Sequence, residues 1–413
     1  MANGDTMRRV RGATVRIGPH VARTDRRGVA HIRIKHRAAL TVTVAAPGYE
    51  RVSVREWFRQ HRLVTIFVYQ PRLQWTMYGA TLSRAQAQDW RQLRPPFRID
   101  WSQGIDSLIE FPAVVSDGVA YIGNNSGTIH ALRMSNGSRL WRHVTPGGKM
   151  ASSPAVWNGS IVVHGMDGHV WVLDRRTGRL RWYMTIGSPI ESSPAVRGDI
   201  DYFGAWNGTV YALDLGRRRL RWEFRGGYKI TSSAALAGGT LFIGDYGGRL
   251  LALSVRTGRL RWSAGVNGRI YGTPAVAGGR VFVPSSTGGS LTAFTTSGRY
   301  LWRVGTGSYV YSSPAVWGGR VFFGSYNGLF YGVSAASGRV LWSVGTGGAI
   351  SGAAVVVGGV AYAGSFAHRI VGVDARSGRV LLWFPHGEYV PVSGSGGKLL
   401  LHGYSRLYVV TPR

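Results

Sequence analysis

Ser192–Trp222 reads SSPAVRGDIDYFGAWNGTVYALDLGRRRLRW, and this stretch decides the fold. It contains four short runs, SSPAV, IDYFG, TVYALD and RLRW, with turn residues between them and AWNG at the middle turn. Short runs rich in β-branched and aromatic side chains, bounded by Gly, Asn and Asp, read as strands joined by hairpins. The pattern recurs along the chain and is marked by Trp101, Trp141, Trp182, Trp222, Trp262, Trp302, Trp342 and Trp383, at spacings of 40 or 41 residues. Four strands per forty residues is the repeat of a propeller blade, so the expectation is an all-β, eight-bladed β-propeller.

Turn chemistry places the strand ends. Asp117-Gly118, Asn158-Gly159, Gly238-Gly239, Gly278-Gly279, Gly318-Gly319 and Gly358-Gly359 recur between first and second strands, where a two-residue hairpin needs positive φ. Asn207-Gly208-Thr209 falls at such a turn and is read as turn chemistry, not as a glycosylation site. The last repeat has only three strands before Arg413, whereas one unpaired strand, Phe97 to Trp101, precedes the first. Joining the two closes the ring and removes two open sheet edges.

Composition narrows the chemistry. Of 413 residues 44% are hydrophobic and 17% charged, which excludes disorder, and 60 glycines without a collagen period call for many tight turns. There is no cysteine, so disulfides, thiolate metal sites and cysteine nucleophiles are excluded. No apolar run is long enough to span a membrane, and the residues after Met1 lack a signal-peptide core, so a clipped N-terminus is expected. Fifty basic against 19 acidic residues give +31, with +13 in residues 1–100 and +18 beyond. A field of that size attracts polyanions, although only Lys35, Lys149, Lys229 and Lys398 are lysines and the arginine surplus is dispersed.

The string Asp174-Arg175-Arg176-Thr177-Gly178-Arg179-Leu180-Arg181-Trp182, with similar strings ending at Trp222, Trp262, Trp302, Trp342 and, less closely, Trp383, resembles the repeat of pyrroloquinoline-quinone (PQQ)-dependent dehydrogenases and of the BamB-like assembly factors. The resemblance covers about residues 75–413, including the lead-in Trp75-Thr76-Met77-Tyr78-Gly79, and implies that Gly and Trp lock neighbouring blades. Nearer the N-terminus, TVRI, VART, VAHIRI and LTVTVA read as strands between residues 10 and 54, with a further one at Leu63 to Tyr69. Gly12-Ala13-Thr14-Val15, Thr24-Asp25-Arg26-Arg27-Gly28 and Pro47-Gly48-Tyr49 resemble the carboxypeptidase regulatory-like, transthyretin-type β-sandwich. That resemblance implies an extracellular spacer and hence an exported protein. The expected domains are a sandwich over 1–70, a linker over 71–96 and the propeller over 97–413.

Enzymatic constellations are sparse. A PQQ dehydrogenase needs calcium held by oxygen ligands, an aspartate base, cations against the quinone oxygens and a stacked planar residue. Here the acids near the innermost strands are Glu110 and Glu191, with Asp106 and Glu388 nearby, and the regular period leaves no long loops. His164 and His169 flank one hairpin but lack a third ligand. The Gly-Thr-Gly runs at 305–307 and 345–347 lack the helix of a phosphate loop. No catalytic, cofactor-binding or metal-binding residue is therefore assigned, and PQQ with calcium stays as an alternative.

One set of residues stands out. The turns after the second strands carry Trp206, Tyr246, Tyr326, Phe366 and Tyr404, and the connections between blades carry Lys149, Glu191, Lys229, Arg269, Tyr271, Tyr309 and Tyr311. Both sets belong to one face of a propeller, where they would ring the channel mouth or else be buried between blades. Exposed aromatics with basic neighbours suit peptides, glycans or anionic polymers. Arginines alternating on the outermost strands, Arg179 and Arg181, Arg219 and Arg221, Arg259 and Arg261, protect exposed edges. The expectation is a non-enzymatic, monomeric scaffold of the cell envelope or extracellular space that binds a peptide, protein or anionic polymer. A PQQ-dependent dehydrogenase and a nucleic-acid or other polyanion binder are the alternatives.

Overall fold

The hairpin turns behave as their residues require. Asp117 and Gly118 have φ of +52° and +73°, Asn158 and Gly159 of +38° and +70°, and each pair joins a three-residue innermost strand to the next strand. The structure, a computed structural model, describes residues 1–34, 38–58 and 63–413, so Lys35 lies outside the described residues. The chain forms two compact units, Met1–Gln74 with Ser395–Gly397, and Trp75–Gly394 with Lys398–Arg413.

The larger unit contains eight antiparallel sheets in series. Blade 1 is Val114–Ser116, Val119–Gly123, Thr128–Arg133 and Arg139–Val144; the next six begin at Ala155, Ala195, Ala235, Ala275, Ala315 and Val355. Blade 8 is Gly387–Ser395, Lys398–Gly403 and Arg406–Pro412, completed by Phe97–Gly104. The closing strand runs from Phe97 opposite Pro412 to Gly104 opposite Arg406, three residues longer than the sequence suggests. Second and third strands are buried on both faces because each blade stacks on two others. Tyr202, Val210 and Ala212 of blade 3, for example, share a core with Leu236, Leu241 and Ile243 of blade 4. Each fully buried aliphatic or aromatic side chain there contributes about 1.5–3 kcal/mol.

Gly and Trp join neighbouring blades at their outer strands. Trp101, Trp141, Trp222, Trp262, Trp302 and Trp342 each donate the indole N–H to a carbonyl of the following blade, at 3.0–3.4 Å. The glycine of that blade's last turn lies flat against the ring: a Cβ at Gly258 would sit 2.6 Å from Trp222. Trp182 faces Arg218, which occupies the glycine position at φ +54°, with its guanidinium carbon 5.8 Å from the ring centre. Trp383 is a correction. Trp342 stands opposite Gly332, but in blade 7 the equivalent residue, Gly372, faces Leu382. Side chains alternate along a strand, so the one-residue offset turns Trp383 to the other face, where it is half exposed beside Arg369.

Part of the stretch expected as a linker belongs to the propeller. Trp75 pairs with Val115, and the carbonyls of Thr76, Leu82, Ser83, Ala85 and Gln86 accept the N–H groups of Val156, Leu236, Val276, Val316 and Val356 in turn. These are the middle residues of the innermost strands of blades 2, 4, 5, 6 and 7, so the segment runs from blade 1 around the axis to blade 7. There Ala87–Gln88 adds a fifth, parallel strand. Arg84 is completely buried, its guanidinium donating to the carbonyls of Tyr78, Ser193, Pro194 and Ala234.

The smaller unit has a four-stranded antiparallel sheet in the order His20–Arg23, Thr14–Ile17, Ala38–Ala45, Val52–Phe58, and a parallel pair of Ala2–Asn3 with Phe67–Val68. Val68 shares a small core with Val15, Val42 and Val44. The expected strand at Val29 to Ile34 does not form, whereas Val52–Phe58, not among the expected strands, is one.

Candidate binding face

The turns after second strands and the connections between blades lie together because each turn is tied to a connection by main chain. Met166, Trp206, Tyr246, Tyr326 and Phe366 donate N–H to the carbonyls of Lys149, Pro189, Lys229, Tyr309 and Ala349, at 2.9–3.1 Å. Two residues further along each connection comes a position that lies nearer the axis. It is Glu110 in blade 1, Glu191 in blade 3, Tyr271 in blade 5 and Tyr311 in blade 6. Beneath it is a belt of hydroxyls. Ser153, Ser193, Ser233 and Thr273 each donate backbone N–H to the hydroxyl forty residues on, of Ser193, Ser233, Thr273 and Ser313, at 2.8–3.1 Å.

The tyrosines form one continuous crescent. Ring centres are 6.4 Å apart for Tyr246 and Tyr271, 5.4 Å for Tyr271 and Tyr311, 5.0 Å for Tyr311 and Tyr326, and 5.8 Å for Tyr326 and Phe366. Tyr309 packs on both Tyr311 and Tyr326, and Tyr389 continues the series 5.6 Å from Phe366. Sequence reading missed Tyr389 because the last repeat departs from the period, although a tyrosine beside Glu388 was there to be seen. Tyr309, Phe366 and Tyr404 are 50%, 37% and 52% exposed, so the crescent borders solvent and is not sealed between blades. Tyr404 stands at the rim without a ring contact to the others among the described residues.

Charge is arranged inside this crescent. Glu191 is buried and accepts hydrogen bonds from the Trp206 indole at 3.1 Å and from the Tyr271 hydroxyl. Lys229 Nζ lies 3.2 Å from the centre of the Trp206 ring and 5.0 Å from that of Tyr246, and Arg269 reaches the other side of Tyr246 at 5.7 Å. Burial lowers the Lys229 ammonium pKa, with the Glu191 charge opposing the shift. Burial raises the Glu110 carboxyl, the Glu191 charge raises it further, and exposed Lys149 partly offsets both. Burial also raises the Tyr271 hydroxyl far above its usual range and Tyr389 to about 12, with carboxylates adding to each.

Glu110 and Glu191 line a small axial cavity, open at its mouth, with Tyr78 and Phe111 in its wall alongside Tyr271, Tyr311 and Tyr389. No arginine or lysine lines it. PQQ is a tricarboxylate, and here it would meet two carboxylates and no cation, so the residues present do not fit it. Among the described residues no group of three or more His, Asp or Glu is placed to hold a metal ion. His164 and His169 have separate partners: His164 is buried against Asp201 at 2.9 Å, and His169 packs against Trp171 and, edge to face, Tyr183. Asp106 lies beside His130 and Arg139, and Glu388 beside His368.

Fold, repeat and blade lock together define a β-propeller of the PQQ-repeat class. The chain belongs to the family described as outer membrane protein assembly factor BamB, whose model matches residues 78–224 and 206–402. The structure resembles BamB from Moraxella catarrhalis, with 20% identity, a TM-score of 0.65, and coverage of 77% of this chain and 98% of that one. It also resembles quinohemoprotein alcohol dehydrogenase from Comamonas testosteroni, with 13% identity, a TM-score of 0.69, and coverage of 82% and 80%. In sequence, that dehydrogenase is 28% identical over 95 residues, 20% of this chain and 13% of the dehydrogenase. The sequence match thus spans about an eighth of the curated relative's length. Among the described residues no helix is long and apolar enough to cross a membrane.

Proposed function

We propose that this propeller is a non-enzymatic scaffold of the cell envelope whose crescent face binds an extended peptide or protein segment. The observation that carries the reading is the unbroken series of ring contacts from Tyr246 to Tyr389 around the channel mouth, flanked by Lys229 and Arg269. Tyrosine, tryptophan and arginine are the residues in which protein–protein binding energy concentrates, because they offer large contact area with a polar end. The described connections are short, which favours a shallow recognition surface over a closed reaction chamber. Family membership supports the same reading, since the family is described by an assembly role. The N-terminal unit, with its resemblance to carboxypeptidase regulatory-like modules, is proposed to be a spacer.

The test is selection of displayed random peptides on the whole protein, followed by titration of the winners. Peptides whose affinity falls by about tenfold or more in Tyr309→Ala and Phe366→Ala, but not in Arg179→Ala on an outer strand, support the face. Winners indifferent to the two aromatic substitutions would sink the reading. Binding of polyphosphate instead, falling steeply with salt, would reassign the face to a polyanion.

A further inference from the structure

The geometry points to the axial cavity as a pocket for one cationic side chain, a lysine or arginine, of the segment bound on the crescent face. The inference rests on the peptide-binding reading and adds the chemistry it selects. Two carboxylates line the cavity, from the connections to blades 1 and 3, and they differ in their partners. Glu191 is satisfied by Trp206 and Tyr271 and lies within reach of Lys229. Glu110 accepts no hydrogen bond among the described residues, and the only cation bearing on it is exposed Lys149. A carboxylate partly withdrawn from water beside a second one is costly unless a positive group joins it.

The wall supplies the rest of a cation site. Tyr78, Phe111, Tyr271 and Tyr389 offer ring surface around Glu110, and a cation over such a ring gains about 0.5–2 kcal/mol as water is excluded. The molecule carries an internal precedent at the connections leading into blades 3 and 4, where Lys229 rests on Trp206 and Tyr246 near Glu191. The Glu110 side repeats that chemistry, carboxylate plus rings, without a lysine to fill it. An anionic or apolar side chain would leave Glu110 uncompensated, so the pocket selects by charge.

Calorimetric titration of the whole protein with Nα-acetyl-lysinamide, Nα-acetyl-argininamide and Nα-acetyl-norleucinamide tests this. The cationic amides should bind at least about tenfold more tightly than the norleucine analogue, and Glu110→Gln should remove that preference while Arg179→Ala on an outer strand keeps it. Glu110→Gln should also melt no lower than the parent, since it removes repulsion between the carboxylates. Affinity should fall as pH drops through the titration of Glu110, because the protonated acid carries no charge. Equal binding of norleucinamide, full binding by the Gln variant, or displacement of the amides by micromolar calcium would overturn the pocket. The two readings fail separately: selected peptides that need Tyr309 but show no enrichment of Lys or Arg refute the pocket alone, whereas absence of any face-dependent peptide refutes the face.

Discussion

Arg218 shows how much one residue can be at odds with its repeat. Six of the seven equivalent turns use Gly at positive φ against a tryptophan ring; here an arginine takes φ +54° and covers Trp182 with its guanidinium. The left-handed conformation costs a non-glycine residue about 1–2 kcal/mol, and an exposed cation–π contact returns about 0.5 kcal/mol. Arg218→Gly should therefore stabilise the propeller by ~0.5–1 kcal/mol, measured as a rise in the denaturation midpoint. A fall would show that the Arg218–Trp182 contact matters more than the backbone. Buried histidines give a second expectation. His402 is enclosed and its Nε2 accepts the Ala113 N–H at 3.1 Å, so it must be neutral there; burial lowers it to about 4, and His130 likewise. The unfolded chain takes up these protons near the ordinary value of about 6.5 while the folded chain resists to about 4. Their contribution is complete above the unfolded value and is lost between there and about 4, by roughly 3 kcal/mol each. Chemical denaturation at neutral pH and in acid should show that slope, and His402→Leu, weaker at neutral pH, should show less of it.

At the scale of elements, what could be read in advance depended on whether a segment repeats. The strand quartets, hairpin turns and closing strand follow from periodicity, since eight copies average out local irregularity. The register of Trp383 was open to reading, because it lies nine positions after Asp374 where Trp182 lies eight after Asp174; the near-constant spacing of the tryptophans, 40 or 41 residues, concealed the insertion. Residues 75–88 had no such signal. They contribute mainly carbonyls, to six of the blades, and a main-chain hydrogen bond needs no particular side chain, so the sequence reads there as linker. Only Arg84 is demanding, with its charge enclosed by four carbonyls and its pKa lowered to about 10 by burial. Arg84→Ala leaves a cavity and unsatisfied carbonyls and should cost about 3–5 kcal/mol. A chain starting at Trp75 should melt well above one starting at Phe97, whose innermost strands lose these partners. Equal melting of the two would mean the segment only rests on the blades. The candidate face was partly legible for the same reason: its expected residues occupy repeated turns and connections, whereas Tyr389 lies in the blade whose spacing departs from the rest, and the separate roles of Glu110 and Glu191 depend on contacts across the axis.

Over the whole chain the dominant quantity is charge. The 19 acids cannot offset 50 basic residues, and many are already engaged: Asp174 with Arg181 at 2.7 Å, Asp245 with Arg249 at 2.7 Å, Asp374 with Arg94 at 3.0 Å. Two effects of salt then oppose each other. Screening weakens these pairs, but exposed pairs are worth only about 0–1 kcal/mol each. Screening also relieves repulsion among the surplus of 31 positive charges, which acts across the molecule at separations where a Debye length of about 8–10 Å decides the outcome. Because the surplus exceeds the number of acids available to pair, the second effect should win. The thermal midpoint should rise from low-salt buffer to physiological ionic strength, and sodium sulfate should act more strongly than chloride at equal ionic strength through preferential exclusion. A midpoint that falls with added chloride would show that the arginines are held in networks worth more than their mutual repulsion. The outer strands, where Arg181 and Arg261 reach back to Ser160 and Thr240 of their own blades, would then be the place to look for them.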